Sequence, residues 1–153
     1  MVGIMSPSCA ALLELSREEA NEATFAALAA GESAWRGGET RAHAYAGHQF
    51  GKWAGLLGDG RAITIGTVIE SEELGAFEVQ LKGAGKTAYS RYGDGRASLA
   101  SALREFLASE AMACLRVRTT RALCVTATND GVVRQTASNK TMLLPGGVLT
   151  RVF

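Results

Sequence analysis

Apolar and polar positions change their period several times along this chain. Residues 8–30 follow a helical period. Ser16 with Glu19 three positions later reads as a capping box, and EEANEATFAALAAG carries alanine and leucine until Gly31 stops it. GESAWRGGET (31–40) has the composition of a loop. From His43 the texture shifts to glycines separating short apolar runs. RAITIGTVI (61–69) is composed like a strand. FEVQLK (77–82) alternates, with Phe77, Val79 and Leu81 on one face and Glu78, Gln80 and Lys82 on the other. ASLASALREFLASEAMAC (97–114) returns to a helical period, with Leu99, Leu103, Phe106, Ala113 and Cys114 along one side. TRALCVTAT (120–128) and GVVRQTA (131–137) flank Asn129-Asp130-Gly131, residue types that suit the positive-φ positions of a hairpin turn. No repeat of fold-defining length is present, although GDGRA occurs twice, at 58–62 and 93–97. The pattern predicts an α+β protein: a helical extension over 1–42, then an antiparallel sheet with one long helix over 43–153.

Composition narrows the classes. A chain of 153 residues, 47% hydrophobic and 20% charged, has the makings of one globular domain with its own core. A formal net charge of +1 provides no overall field to attract nucleic acid, so any basic site must be local. Tyr89, Arg91, Tyr92 and Arg96 interleave aromatic and basic residues, but glycine interruption favours phosphate or carboxylate contacts over nucleic acid. Cys9, Cys114 and Cys124 form no C-x-x-C pair and read as reduced, mostly core thiols. His43 and His48 lack a third ligand nearby, so a metal centre is not expected there. No apolar run is as long as a membrane span, and the first residues show neither a secretory signal nor an Arg-rich transit segment.

The chemistry concentrates in VQLKGAGKTAYSRYGDGRA (79–97), where Lys82 and Lys86 compete as the phosphate lysine. GAGKT resembles the end of a P-loop, but the glycine that such a loop requires four residues before Gly-Lys-Thr is replaced by Gln80. Lys82 has a different rationale. The order is strand, glycine turn (LGDGRA, 57–62), strand, lysine at the end of an alternating strand, then a helix bearing Glu105. That order follows the logic of a kinase-like lobe, which works by positioning and charge neutralisation. Taken singly these features are ordinary: strand-end lysines are mostly solvated, and Gly-Asp-Gly is most often a plain turn that its aspartate, here Asp59, caps. On the helical wheel Glu110 falls within the apolar stripe and Glu105 well off it, so pattern alone nominates Glu110 as the buried partner of a lysine.

YAGHQFGKWAGLLGDGRA (45–62), LKGAGKTAYSRYGDGRASL (81–99) and REFLASEAM (104–112) closely resemble the selenoprotein O family of kinase-like proteins, over about residues 6 to 151. The resemblance implies a protein kinase-like fold that transfers AMP from ATP to Ser, Thr or Tyr hydroxyls of proteins, with ATP reversed relative to ordinary kinases. It places nucleotide contacts on Gly58, Gly60, Arg61, Lys82, Asp94, Gly95 and Arg151, and catalytic roles on Lys82 and its partner Glu105. The family pattern departs at Leu56, Thr67, Ala88 and Ala100, none of them a contact. It also implies Mg²⁺, whose Asn and Asp ligands, like the catalytic aspartate, belong to a C-terminal lobe expected beyond Phe153. On this reading the chain is the N-terminal lobe without the C-terminal one: it supplies ATP contacts, lacks metal ligands and base, and is inactive alone. Two alternatives stand beside it, a non-catalytic nucleotide-binding module and a truncated product without function. An exposed apolar face along 99–114 would favour truncation. The compartment implied is cytoplasmic in a bacterium and mitochondrial in a eukaryote.

Overall fold

Alternation along FEVQLK organises the sheet. The computed structural model describes residues 2–71, 75–135 and 138–153. Strand β5 (Gly75–Lys82) lies between β4 (Ala62–Ser71) and β7 (Thr141–Val152); β6 (Arg121–Gln135) follows β7, and β1 (Val2–Met5) closes the far edge. Every neighbouring pair in this order, β1-β6-β7-β5-β4, is antiparallel. The result is an α+β domain with an antiparallel sheet and a few helices.

The two faces of the sheet carry different cores. Val79 and Leu81 turn to the back, with Ile65, Leu123, Val148 and Val152. Helices α1 (Pro7–Leu12) and α3 (Ala23–Ala30) cover them with Cys9, Ala10, Phe25, Leu28 and Ala29. On the front, α4 (Leu99–Cys114) lays Ala102 and Phe106 over Ala122, Val125 and Leu149. Lys82 is paired in register with Leu149, so the lysine belongs to this front face. The period-2 expectation for 77–82 therefore holds.

The helical run expected over 8–30 is three helices, with α2 (Arg17–Asn21) between α1 and α3. The physical reason lies in the capping box. It is present, with Ser16 bonded to the Glu19 amide and Glu19 to the Ser16 amide, but an N-cap needs extended backbone, so the chain must leave one helix before starting the next. Gly31 ends α3 in the left-handed conformation, at φ +76°. Residues 44–58, where glycines hid any alternation, form a separate ribbon of β2 (Ala44–Gln49) and β3 (Lys52–Gly58) around a Phe50–Gly51 turn.

The hairpin turn expected at Asn129-Asp130-Gly131 is not there. β6 runs through it, and the register slips between Thr128 and Gly131 opposite Gly146 and Pro145. The residues that suit a tight turn suit a bulge equally well, and Pro145 sits opposite the bulge, where a missing N–H is tolerated. The last two residues of the GVVRQTA run lie outside the described residues. Cys9 and Cys124 are buried, and burial pushes their thiols up to about 12 and about 11 respectively. Cys114, expected on the apolar side of the long helix, is instead exposed at its C-terminal end.

Glu110 is half-buried at the inner face of α4, where its place in the apolar stripe suggested, and its partner is an arginine. Its carboxylate takes hydrogen bonds from Arg121 (2.8 and 2.9 Å), Ser6, and the Ala122 amide (3.0 Å). It thereby joins α4 to the start of β6 and to the N-cap of α1. Burial alone would raise this carboxyl; the donors outweigh burial and bring it down to about 2 from an ordinary 4.5. A depressed carboxyl contributes stability that is present above the unfolded-state value and lost as pH falls through the folded one. Glu110→Gln should therefore lower stability by about 1–3 kcal/mol at pH 7. In denaturant titrations the wild-type chain should lose stability between pH 4.5 and about 2 more steeply than the variant; equal slopes would contradict the assignment.

Candidate functional site

β5 delivers Lys82 to the front face at the edge of the α4 core, and α4 delivers Glu105 across from it. Lys82 Nζ lies 2.9 Å from the Glu105 carboxylate. The same carboxylate accepts from Arg151 Nη1, also at 2.9 Å. Arg151 arrives on β7, where it pairs in register with Gln80. The Gln80 side chain is 2% exposed, and its carbonyl accepts from Arg151 Nε (2.7 Å) and Nη2. Its amide nitrogen donates at 3.4 Å to Asp59 and to Thr64. One connected network thus runs from Asp59 through Gln80 and Arg151 to Glu105 and Lys82. A buried amide satisfied at both ends fixes the Arg151 guanidinium in place.

Asp59 occupies the turn between β3 and β4, but its carboxylate accepts from the His43 amide at 3.2 Å, outside that turn, and so ties the turn to the start of β2 instead of capping it. His43 itself bonds Thr64 at 3.0 Å, and His48 meets the Trp53 ring edge-on. The 87–90 loop is stitched to the turn by two hydroxyls, Thr87 Oγ1 to the Asp59 carbonyl and Ser90 Oγ to the Gly60 carbonyl, both at 2.5 Å. Close packing of Tyr89 explains Gly58: a Cβ there would fall 2.2 Å from the Tyr89 ring.

Gly60 and Arg61 border two cavities. One, of about 250 Å³, is lined by Tyr45, Asp59, Gly60, Arg61, Lys82 and Arg151. Three cations against one carboxylate, with partly buried walls, make it suited to a polyanion. The other, of about 570 Å³, is lined by Gly60, Arg61, Asp94, Gly95, Arg96 and Arg134. Together they have the scale of a small-molecule site.

The family model for "Protein adenylyltransferase SelO" matches residues 4–152. This chain belongs to the SelO family. It is similar to the "Protein nucleotidyltransferase YdiU" of Aromatoleum aromaticum, 50% identical over 151 residues, which are 96% of this chain and 29% of that protein. The protein of the same name from Azotobacter vinelandii is 48% identical over 92% of this chain and 29% of its own length. That of Bordetella avium is 52% identical over 83% of this chain and 26% of its own. The chain thus spans about 29% of the length of such SelO-family relatives.

Of the residues the SelO resemblance names, Gly60, Arg61, Lys82 and Arg151 share the smaller cavity, with Glu105 holding both Lys82 and Arg151. Asp94 and Gly95 lie in the larger cavity, and Gly58 in the strand that leads to the turn. Lys86 is exposed. Sequence reasoning passed over Gln80 and Arg134 as members of the site. Gln80 was legible only through sharing a face with Lys82, and Arg134 had no local signal. The carboxylates here are engaged: Glu105 by two cations, Asp94 by Arg134, Asp59 by backbone and Gln80. Among the described residues no group of three His, Cys, Asp or Glu gathers to hold a metal. The residues present do not fit a Mg²⁺ ligand set, and the positive charge of the site is that of its own side chains.

The shared carboxylate sets an order among mutants. Removing Lys82 leaves Glu105 paired with Arg151, whereas removing Glu105 strands two partly buried cations. Denaturant unfolding should show Glu105→Ala destabilised by about 2–4 kcal/mol and Lys82→Ala by less than about 1 kcal/mol; the reverse order would contradict the sharing.

Proposed function

We propose that this chain is the ATP-binding lobe of a protein adenylyltransferase with a kinase-like fold. The observation that carries the reading is the Lys82–Glu105–Arg151 cluster beside the Gly60-Arg61 turn. Supporting it, the strand, glycine turn, strand, lysine-bearing strand and glutamate-bearing helix occur in the order of a kinase nucleotide lobe. Family membership supports AMP as the transferred group. Leu107 and Met112 on the outer side of α4 are 62% and 44% exposed, the apolar face named above as favouring the truncated-product alternative.

In the proposed reaction a Ser, Thr or Tyr hydroxyl of a protein attacks the α-phosphorus of ATP. The new bond joins the hydroxyl oxygen to AMP, the bond to the β-phosphate bridge breaks, and pyrophosphate leaves. This chain's residues bind and orient. Lys82, Arg61 and Arg151 neutralise the phosphates, and Glu105 holds two of those cations where they are needed before ATP arrives. Such preorganisation matters because a flexible lysine would otherwise lose rotamer freedom on binding. The base that takes the hydroxyl proton and any metal ligands are assigned to no residue of this chain.

Titration calorimetry of the chain with ATP and Mg²⁺ tests the reading. Wild type and Lys86→Ala should bind alike, and Lys82→Ala at least about tenfold more weakly. A loss confined to Lys86→Ala would return the P-loop reading, and absence of binding at millimolar ATP would overturn nucleotide binding by this lobe.

A further inference from the structure

The second Gly-Asp-Gly turn is held from two directions. On one side its backbone presses against the preceding loop. Gly95, at φ +68°, comes so near Gly85 that a Cβ would fall 2.0 Å from the Gly85 carbonyl oxygen, and the Gly85 amide donates to the Gly95 carbonyl at 3.2 Å. This contact sets where the turn lies but not how Asp94 points. That is decided from the other side, by β6.

Arg134 reaches from β6 with a two-pronged grip, Nη1 at 2.8 Å from one Asp94 oxygen and Nη2 at 3.2 Å from the other. Nη2 also donates to the Arg96 carbonyl at 2.7 Å, and the Arg96 amide donates back to Asp94 at 2.9 Å. The Arg96 guanidinium in turn pairs at 2.7 Å with Asp130, which the β6 bulge carries. Both Asp94 oxygens are thus occupied by protein donors, and the hydrogen bond from Arg134 keeps the carboxyl below its ordinary range. The turn lines the 570 Å³ cavity that Arg61 and Arg134 border as well.

We propose that Arg134 is a positioning residue for nucleotide binding, acting through Asp94 to hold the 93–97 turn against the ligand. The proposal rests on the nucleotide reading of Asp94 and Gly95 given above. A planar fork is required, because a lysine would keep the charge while losing the paired geometry and the carbonyl contact.

The test combines Mg²⁺–ATP titration of the chain with amide hydrogen exchange, on Arg134→Met, Arg134→Lys, Asp94→Asn and the Arg134→Met/Asp94→Asn double variant. Arg134→Met should weaken ATP by about tenfold and speed exchange at Arg96 by a similar factor. Amides of the central sheet such as Leu81 and Val125 should keep their protection, which shows that the fold is intact. Arg134→Lys should recover only part of both. The double variant should bind no more weakly than Asp94→Asn alone, since without that carboxylate Arg134 loses the group it acts through. Additive losses would overturn the proposal in favour of direct contact between Arg134 and ATP. Unchanged affinity and unchanged exchange would overturn it outright. If wild type binds no ATP, the nucleotide reading fails and this role with it, while the exchange arm separately reports whether Arg134 orders the turn.

Discussion

One carboxylate, that of Glu105, answers two cations delivered by two different strands. Lys82 comes on β5 and Arg151 on β7, and the antiparallel register that places Arg151 beside Gln80 is what allows both to reach the same helix residue. Ion pairs on an open surface are worth little, because water competes and long side chains lose freedom. Here the Lys82, Glu105 and Arg151 side chains are each less than a third exposed, and Gln80 braces the guanidinium from beneath. The arrangement directs positive charge into the cavity bordered by Gly60 and Arg61.

The scaffolding around that carboxylate is apportioned by face. The back of the sheet is closed by the N-terminal helices and the front by α4, so that the strand edge bearing Lys82 and the helix bearing Glu105 are both immobilised by apolar burial. Glu110, one and a half turns along from Glu105, ties α4 to β6 and to the N-terminus of the chain. Two glutamates on one helix therefore divide the work: one holds the helix in place, and the other uses that place.

Several particular features were legible beforehand. The alternation of FEVQLK assigned Lys82 and Gln80 to one face, since a period of two admits no other arrangement on a pleated strand. The Ser16–Glu19 box marked a helix start, and Gly31 a helix stop. Others misled for identifiable reasons. Asn129-Asp130-Gly131 has the backbone preferences of a turn, yet those preferences serve a bulge when strands continue on both sides. The stretch 44–58 showed no alternation because most of that ribbon is exposed, with Tyr89 packing only against its Gly58 end. Cys114 sat within an apolar pattern but at the helix end, well past the part of the helix where the sheet buries Ala102 and Phe106.

By itself the sequence determined the local matters: which residues share a strand face, where helices start, and, through three motif blocks, which family the chain belongs to. The tertiary structure decided the partnerships. Whether Glu105 or Glu110 meets Lys82, whether Arg151 joins them, and that Arg134 grips Asp94 all depend on the order and register of strands distant in sequence. Propensity and periodicity are properties of neighbours along the chain, whereas an ion pair between residues dozens of positions apart exists only once the sheet has been assembled.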